Sequence, residues 1–132
     1  MQDYALVEDF TALENVMLPL DFSRARVKNK KERALSMLEQ VDMKEFADKP
    51  VNNLSGGQKQ RGAIARAMAN DPKVILADEP TGAPDSKNTE QIMEILKELN
   101  RQGKTIIVVT HDPLVSEQCG HVIEIADREI VA

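Results

Sequence analysis

The chain has 132 residues, of which 42% are hydrophobic and 30% charged, a composition typical of one folded domain and not of a disordered segment. A net charge of −5 argues against a nucleic-acid partner, and the single cysteine, Cys119, excludes an internal disulfide and fits a reducing compartment. No apolar run approaches the roughly 18 residues of a membrane span, so we expect no direct membrane insertion.

Residues 1–50 combine short helices with loops. The pattern predicts a helix from Thr11 to Leu18 that ends at Pro19, because proline disrupts a helix interior. A second, amphipathic helix is predicted over about 29–40, where apolar residues recur at helical spacing. A basic run from Arg24 to Arg33 overlaps its start. We interpret this run as a solvated loop and helix start, with contact to an acidic partner surface as the alternative.

Helix-like and strand-like segments alternate after residue 53. The predicted elements are a helix over 55–69, a strand over 74–77, a helix over 88–100, a strand over 105–109, a short helix over 113–118, and closing strands over 122–125 and 129–131. The two central strands are continuous apolar runs, which predicts burial on both faces. A helix between two such strands predicts a βαβ unit and a parallel sheet. Ligands of such sheets bind beyond the carboxyl ends of the strands, so the chemistry is expected there.

Two adjacent acids, Asp78 and Glu79, follow the first central strand. Acids at the end of a buried strand are costly unless they meet a metal, water or a partner. In nucleotide hydrolases the first acid holds Mg²⁺ and the second positions or deprotonates the attacking water. We predict these roles for Asp78 and Glu79, with a solvated acidic strand end as the alternative. His111 follows the next strand and is predicted to donate to the terminal phosphate, the alternative being a structural or merely exposed histidine.

A glycine pair precedes the small-residue helix over 55–69. Ser55 and Gln58 have the spacing of a capping box, in which each side chain bonds the backbone amide of the other. Gly56 and Gly57 leave backbone N–H groups uncovered at the helix start, where the helix dipole favours anions. The pattern therefore predicts an anion site, and an ordinary capped helix is the alternative.

The motifs are specific in combination. LSGGQKQR runs from Leu54 to Arg61, LADEPTG runs from Leu76 to Gly82, and Asp85 and His111 follow. With these motifs the chain resembles the ABC ATPase family over essentially its whole length. The resemblance implies an α/β fold, the C-terminal part of a P-loop NTPase of the ABC ATPase type, with a parallel sheet segment and an α-helical subdomain.

The resemblance also implies the division of the chain and the roles of its residues. Residues 1–70 would hold the Q-loop, helical subdomain and signature helix, and residues 71–132 the C-terminal part of the ATPase core. The implied site residues are Gln2 of the Q-loop, which senses metal and terminal phosphate, the signature residues Ser55, Gly56, Gly57 and Gln58, the Walker B residue Asp78, the catalytic Glu79, Asp85 of the D-loop and the switch residue His111. The implied ligands are ATP and Mg²⁺.

A transporter ATPase subunit is the function that this resemblance implies. Its partners would be a membrane subunit and a second ATPase subunit in a head-to-tail dimer, where the signature motif presses on the partner's ATP. The protein would be cytoplasmic, peripheral at the inner face of the membrane. The runs at Thr11 to Leu20 and Ala77 to Thr89 look closest to exporters of lipoproteins, macrolides or antimicrobial peptides. An ABC ATPase of DNA repair is disfavoured, because the stretch between Gln2 and Asn53 is too short for a long coiled coil.

The sequence lacks a phosphate-binding loop, G-x-x-x-x-G-K-[ST], between a strand and a helix. Gly57 and Gly62 have the right separation, but Ala63 stands where the lysine is needed. The run from Gly103 to Thr105 has the right ending, but Glu98 stands in place of the first glycine, and the run lies between a helix and a strand. We therefore expect the chain alone neither to bind ATP tightly nor to hydrolyse it.

Two hypotheses follow from that missing loop. The chain is either the C-terminal segment of a transporter ATPase or a short, non-catalytic module that pairs with a complete ATPase subunit. In both cases an unpaired sheet edge is expected. Two positions depart from the family pattern: Pro84, where leucine is usual, alters the D-loop backbone, and Arg128 stands where the last hairpin usually has glycine.

Overall fold

The computed structural model describes residues 5–23, 28–81 and 86–131. Its helices are α1 (Ala12–Asp21), α2 (Lys30–Gln40), α3 (Gly56–Met68), α4 (Ser86–Arg101) and α5 (Pro113–Ser116), with 3-10 turns over Lys44–Phe46 and Val51–Asn53. Its strands are β1 (Val74–Asp78), β2 (Thr105–Val109), β3 (Ile125–Ala126) and β4 (Glu129–Ile130). The predicted order of elements is confirmed. No helix within the described ranges is long and apolar enough to cross a membrane.

Helix α1 begins after Thr11, whose hydroxyl accepts a hydrogen bond from the Glu14 amide at 3.1 Å. The prediction that Pro19 ends this helix is wrong, because α1 continues to Asp21 with Pro19 inside it. Proline removes one backbone hydrogen bond from a helix. Leu20, however, is only 1% exposed and packs into the core between the helices. Its burial offsets part of the cost and keeps the last turn helical.

Helix α2 is amphipathic, as predicted, and packs against α1 and α3. Of the described basic residues of the run, Lys28 and Lys31 are exposed as predicted, whereas Lys30 and Arg33 are half-buried. Lys30 pairs with Asp21 at 3.0 Å, and Arg33 Nε donates to the Ala69 carbonyl oxygen at 2.8 Å. A guanidinium at the carboxyl end of α3 satisfies an otherwise unpaired carbonyl and interacts favourably with the helix dipole.

The sheet consists of β1 and β2 in parallel, which confirms the βαβ prediction. The register pairs Val74 with Thr105 and Asp78 with Val109. Among the described residues these strands pair only with each other, so each has a free outer edge, as expected. Burial on both faces was predicted and is wrong: Leu76 is 69% and Ile107 49% exposed. The described helices cover only the opposite face, where aliphatic side chains of α4 pack on the sheet.

The Lys104 side chain connects the amino ends of β1 and β2. Its ammonium group pairs with the Asp71 carboxylate and donates to the Pro72 carbonyl oxygen at 2.9 Å. The Thr105 amide donates to the Lys73 carbonyl oxygen at 2.9 Å in the same place. Because the Lys104 side chain is only 14% exposed, this is a partly desolvated contact that joins the two loops entering the strands.

The last hairpin has a turn with two left-handed residues, Asp127 at φ +52° and Arg128 at φ +68°. Two consecutive positive φ values match the tight hairpin turns that suit strand twist, although glycine is preferred there. Strands β3 and β4 pair antiparallel but are shorter than predicted, and α5 is shorter as well. Residues 121–131 are all exposed, so no packing face supports longer strands.

Candidate active site

The carboxyl ends of β1 and β2 lie side by side, where chemistry was expected. The Glu79 amide donates to the Val109 carbonyl oxygen at 2.7 Å. Glu79 itself has φ +46°, a left-handed conformation that costs about 1–2 kcal/mol for a residue with a Cβ. It also precedes Pro80, and residues before proline are normally extended. The turn at Glu79 is therefore strained and depends on surrounding contacts to keep its shape.

Those contacts come from the residues that follow β2. The Thr110 hydroxyl donates to Glu79 Oε2 at 3.2 Å, and the His111 amide donates to Oε1 at 3.1 Å. The His111 ring also contacts Oε1 through Nδ1 at 2.6 Å. The hydrogen bond from the ring lowers the pKa of Glu79 below its ordinary value, although desolvation acts in the opposite direction. The structure thus brings together the two residues that the sequence assigned to catalysis.

Within the part of the chain that the structure describes, the His111 ring has a hydrogen-bond contact through Nδ1 alone. Its side chain is 91% exposed although Nδ1 contacts Glu79. With Nδ1–H directed at the carboxylate, Nε2 is an acceptor in the neutral ring and a donor only in the protonated ring. The predicted donation to a phosphate from Nε2 therefore requires the imidazolium form.

Asp78 is an exposed residue at the end of β1. Side chains alternate along a strand, so it shares the open face of the sheet with Leu76. Within the described residues, no three histidine, cysteine, aspartate or glutamate side chains form a group that could hold a metal ion. A single carboxylate still fits Mg²⁺, which protein sites commonly hold through one or two carboxylates with phosphate and water supplying the other ligands.

The amino end of α3 has the predicted capping box. The Gln58 amide donates to Ser55 Oγ at 3.2 Å, and the Ser55 amide donates to Gln58 Oε1 at 2.9 Å. Each side chain therefore accepts from the backbone amide of the other residue. The donors left for an anion are the Ser55 hydroxyl, the side-chain NH2 group of Gln58 and the backbone N–H groups of Gly56 and Gly57.

The two glycines of this turn have different surroundings. A Cβ placed on Gly56 would have no heavy atom within 4 Å, whereas one placed on Gly57 would lie 2.5 Å from Asn88 Oδ1. Gly56 leaves open space that a ligand or partner can approach. Gly57 instead allows α4 to pack closely against α3.

Three residues of this region were not predicted from the sequence: Gln60, Asn88 and Thr110. Thr110 lies between β2 and His111, and its position at a strand end was the available signal. Gln60 and Asn88 contact each other across two helices, and no local pattern indicates such a contact. The predicted residues Gln2 and Asp85, together with Pro84, lie outside the described residues.

Comparison with known proteins identifies the family. Residues 1–82 match the family model for the ABC transporter. The chain belongs to the ABC transporter family. Its ABC relatives include the uncharacterized ATP-binding protein YvrO of Bacillus subtilis, 48% identical over 130 residues, which cover 98% of this chain and 57% of YvrO. The macrolide export ATP-binding/permease protein MacB of Bartonella quintana is 45% identical over 131 residues, 99% of this chain and 20% of MacB.

A solved ABC cassette has the same fold. The ATP-binding cassette MJ0796 of Methanocaldococcus jannaschii, in a dimeric post-hydrolysis state bound to ADP and Pi, superposes with a TM-score of 0.84 at 47% identity. The match covers 98% of this chain and 58% of the MJ0796 chain. The predicted fold class, an ABC ATPase of the P-loop NTPase type, is confirmed. The chain spans just over half the length of YvrO and of MJ0796.

Proposed function

We propose that this chain provides the hydrolytic residues of the ATP-binding subunit of an ABC transporter, which couples ATP hydrolysis to transport across a membrane. The observation that supports this most directly is the Glu79 carboxylate at the end of β1, bound by Thr110 and His111 at the end of β2. A carboxylate held at the carboxyl edge of a parallel sheet is positioned where such folds bind ligands.

Glu79 acts as the general base in this proposal. Its pKa lies below an ordinary value that is already acidic, so the carboxylate is ionised at neutral pH, and each oxygen of an ionised carboxylate can accept about two hydrogen bonds. Among the described residues, Oε1 already accepts from the amide and the ring of His111, whereas Oε2 accepts from Thr110 alone. Oε2 therefore has room for the proton of an attacking water, and the side chain is 41% exposed, so water reaches it.

Asp78 would hold Mg²⁺ through its exposed carboxylate. When bound, Mg²⁺ neutralises charge on the phosphate oxygens during phosphoryl transfer. His111 fixes the Glu79 carboxylate through Nδ1 and, in its protonated form, offers Nε2–H to a phosphate oxygen. Gln2 would sense the metal and the terminal phosphate, as the family resemblance implies.

A second ATPase subunit completes the proposed assembly. The open first turn of α3, capped by Ser55 and Gln58 and exposed at Gly56, would bind the phosphates of ATP held by that subunit. Asp85 would lie at the same interface. The dimeric state of MJ0796, bound to ADP and Pi, supports this arrangement.

The names of the relatives support a membrane partner and a class of cargo. MacB carries an ATP-binding and a permease function in its name, and it exports macrolides. We extend this to a membrane subunit docked on the helical subdomain, residues 3–50, with residues 71–132 carrying out hydrolysis at the inner face of the membrane. The proposed cargo class is that of the lipoprotein, macrolide and antimicrobial-peptide exporters.

A chimeric cassette tests the proposal. The chain would replace the matching 134 residues of MJ0796, whose remaining sequence supplies the rest of the cassette. We expect the chimera to hydrolyse Mg-ATP, and Glu79→Gln to reduce turnover by about 10²–10⁴-fold, the usual contribution of a general base, with ATP binding retained. Hydrolysis is measured by phosphate release and binding by calorimetry.

Glu90→Gln is the matched control, because it makes the same change at an exposed glutamate of α4. It should leave turnover unchanged. Full turnover in the Glu79→Gln chimera would remove Glu79 from the base role. A chimera that binds ATP but does not hydrolyse it would favour the non-catalytic module instead.

A further inference from the structure

Gln60 is a buried polar residue in the second turn of α3. Its side chain is 3% exposed, and a buried amide is normally kept only where its hydrogen bonds are satisfied. Nε2 donates to the Pro80 carbonyl oxygen at 2.8 Å, and Oε1 accepts from Asn88 Nδ2. One side chain therefore joins α3, the turn after β1 and the start of α4.

This bridge ends on the strained turn of the active site. The backbone amide of Glu79 donates to the Val109 carbonyl oxygen, and its carboxylate is hydrogen-bonded to Thr110 and His111. The next carbonyl along the chain, that of Pro80, is held by Gln60. A left-handed φ at a residue with a Cβ persists only when several contacts fix it.

We infer that Gln60 is a positioning residue that holds the Glu79–Pro80 turn in its active shape from the helix that carries the glycine pair. This inference rests on the proposed role of Glu79. Gln60 lies four residues after Gly56, so both occupy the same face of α3. The hydrogen bond of Gln60 therefore connects the helix that carries the glycine pair to the turn that carries the proposed base.

Amide hydrogen exchange in the 132-residue chain tests the inference without nucleotide. Gln60→Met keeps the length of the side chain and removes both hydrogen bonds. We expect the amides of Glu79 and His111 to exchange about five- to tenfold faster, because one of the two lost hydrogen bonds, that to the Pro80 carbonyl oxygen, holds the turn against local opening. The amides of α2, which lies away from this turn, should keep their rates.

Gln91→Met is the control. It removes the hydrogen bond of 3.0 Å from Arg61 to Gln91, which also joins α3 to α4 but does not touch Pro80. It should leave the exchange of Glu79 and His111 unchanged. Equal acceleration by both variants, or acceleration in α2 to the same extent, would show a general loss of stability and overturn the positioning role.

If Gln60→Met does not fold, Asn88→Ala tests whether Gln60 positions the Glu79–Pro80 turn. It removes only the donor to Gln60 Oε1, so the acceleration at Glu79 and His111 should be smaller but equally selective. Unchanged or non-selective exchange in this variant overturns the inference.

Turnover provides a second readout in the MJ0796 chimera. Gln60→Met should lower kcat with the KM for ATP unchanged, because the turn and not the nucleotide site is affected. An equal rise in KM would contradict a positioning role. Exchange is measured without nucleotide, so its result does not depend on whether Glu79 is the base. It can show whether Gln60 holds the turn even if Glu79 proves to have another role.

Discussion

Replacing Gly56 or Gly57 of α3 with alanine tests whether each glycine is needed for helix packing or for the approach of a ligand. In Gly57→Ala the new Cβ lies 2.5 Å from Asn88 Oδ1 and 3.2 Å from its Cγ, so one of the two helices or the Asn88 side chain must move. In Gly56→Ala the new Cβ meets nothing within 4 Å. Neither glycine has a positive φ, so alanine fits the backbone at both positions.

Three contributions set the magnitude for Gly57→Ala. Turning Asn88 away breaks its hydrogen bond with Gln60, a net loss of about 1 kcal/mol. Keeping Asn88 in place costs about 1–3 kcal/mol of overpacking. Alanine returns up to about 1 kcal/mol of helix propensity in either variant. The first two costs are alternatives, so the smaller one, about 1 kcal/mol, applies, and the gain is common to both variants. We therefore expect the free energy of unfolding of Gly57→Ala to lie about 1 kcal/mol below that of Gly56→Ala, which should equal or exceed that of the wild type.

Urea unfolding followed by far-ultraviolet circular dichroism measures both variants. Fluorescence is a poor probe, because the chain has no tryptophan and one tyrosine. In the MJ0796 chimera, loss of turnover in a stable Gly56→Ala variant would then reflect the approach of ligand or partner. Equal midpoints for the two variants, or a less stable Gly56→Ala, would refute the packing explanation for Gly57.

Two further predictions concern the carboxylate and the core. His111→Ala should raise the pKa of Glu79 toward its ordinary value of 4.5, as measured by ¹³C NMR of the carboxyl group, and an unchanged titration would contradict the contact. The pKa of Glu79 is lower in the folded chain than in the unfolded chain, so its contact with His111 stabilises the fold above pH 4.5. This stabilisation is lost as the pH falls through the folded-state pKa. The free energies of unfolding of His111→Ala and wild type should therefore approach each other in acid. Leu20→Ala should lower the free energy of unfolding by about 2–5 kcal/mol, against less than about 0.5 kcal/mol for the exposed Leu76→Ala, and similar urea midpoints would show that Leu20 is not a core residue.

Local rules predicted the parts of this fold that depend on neighbouring residues. The capping box of Ser55 and Gln58 spans one turn of helix, so the sequence contains both partners. The meeting of Glu79 and His111 followed from one topological rule, because parallel strands end at the same edge of a sheet. Spacing along the chain therefore determines the first contact, and the parallel strand topology determines the second.

Contacts between distant segments could not be predicted in this way. Gln60 and Asn88 are 28 positions apart, and their contact depends on how α3 packs against α4. Pro19 stays inside α1 because tertiary burial of Leu20 outweighs a local signal to stop. The rule that parallel strands are buried on both faces assumes helices on both sides, and the described helices cover only one side of β1 and β2.

The Lys104 contact fixes the amino ends of β1 and β2, so a small rotation there causes a larger displacement at their carboxyl ends. The amino ends of β1 and β2 are pinned there, while Glu79 and His111 lie at the far ends, about 16 Å away at roughly 3.3 Å of rise per residue. A rotation of about 4° around the pinned end moves the far end by about 1 Å, a displacement that can cost an enzyme about 100-fold in rate. We therefore expect the position of Glu79, the proposed base, to respond to loss of the Lys104 ion pair at the opposite end of the two strands.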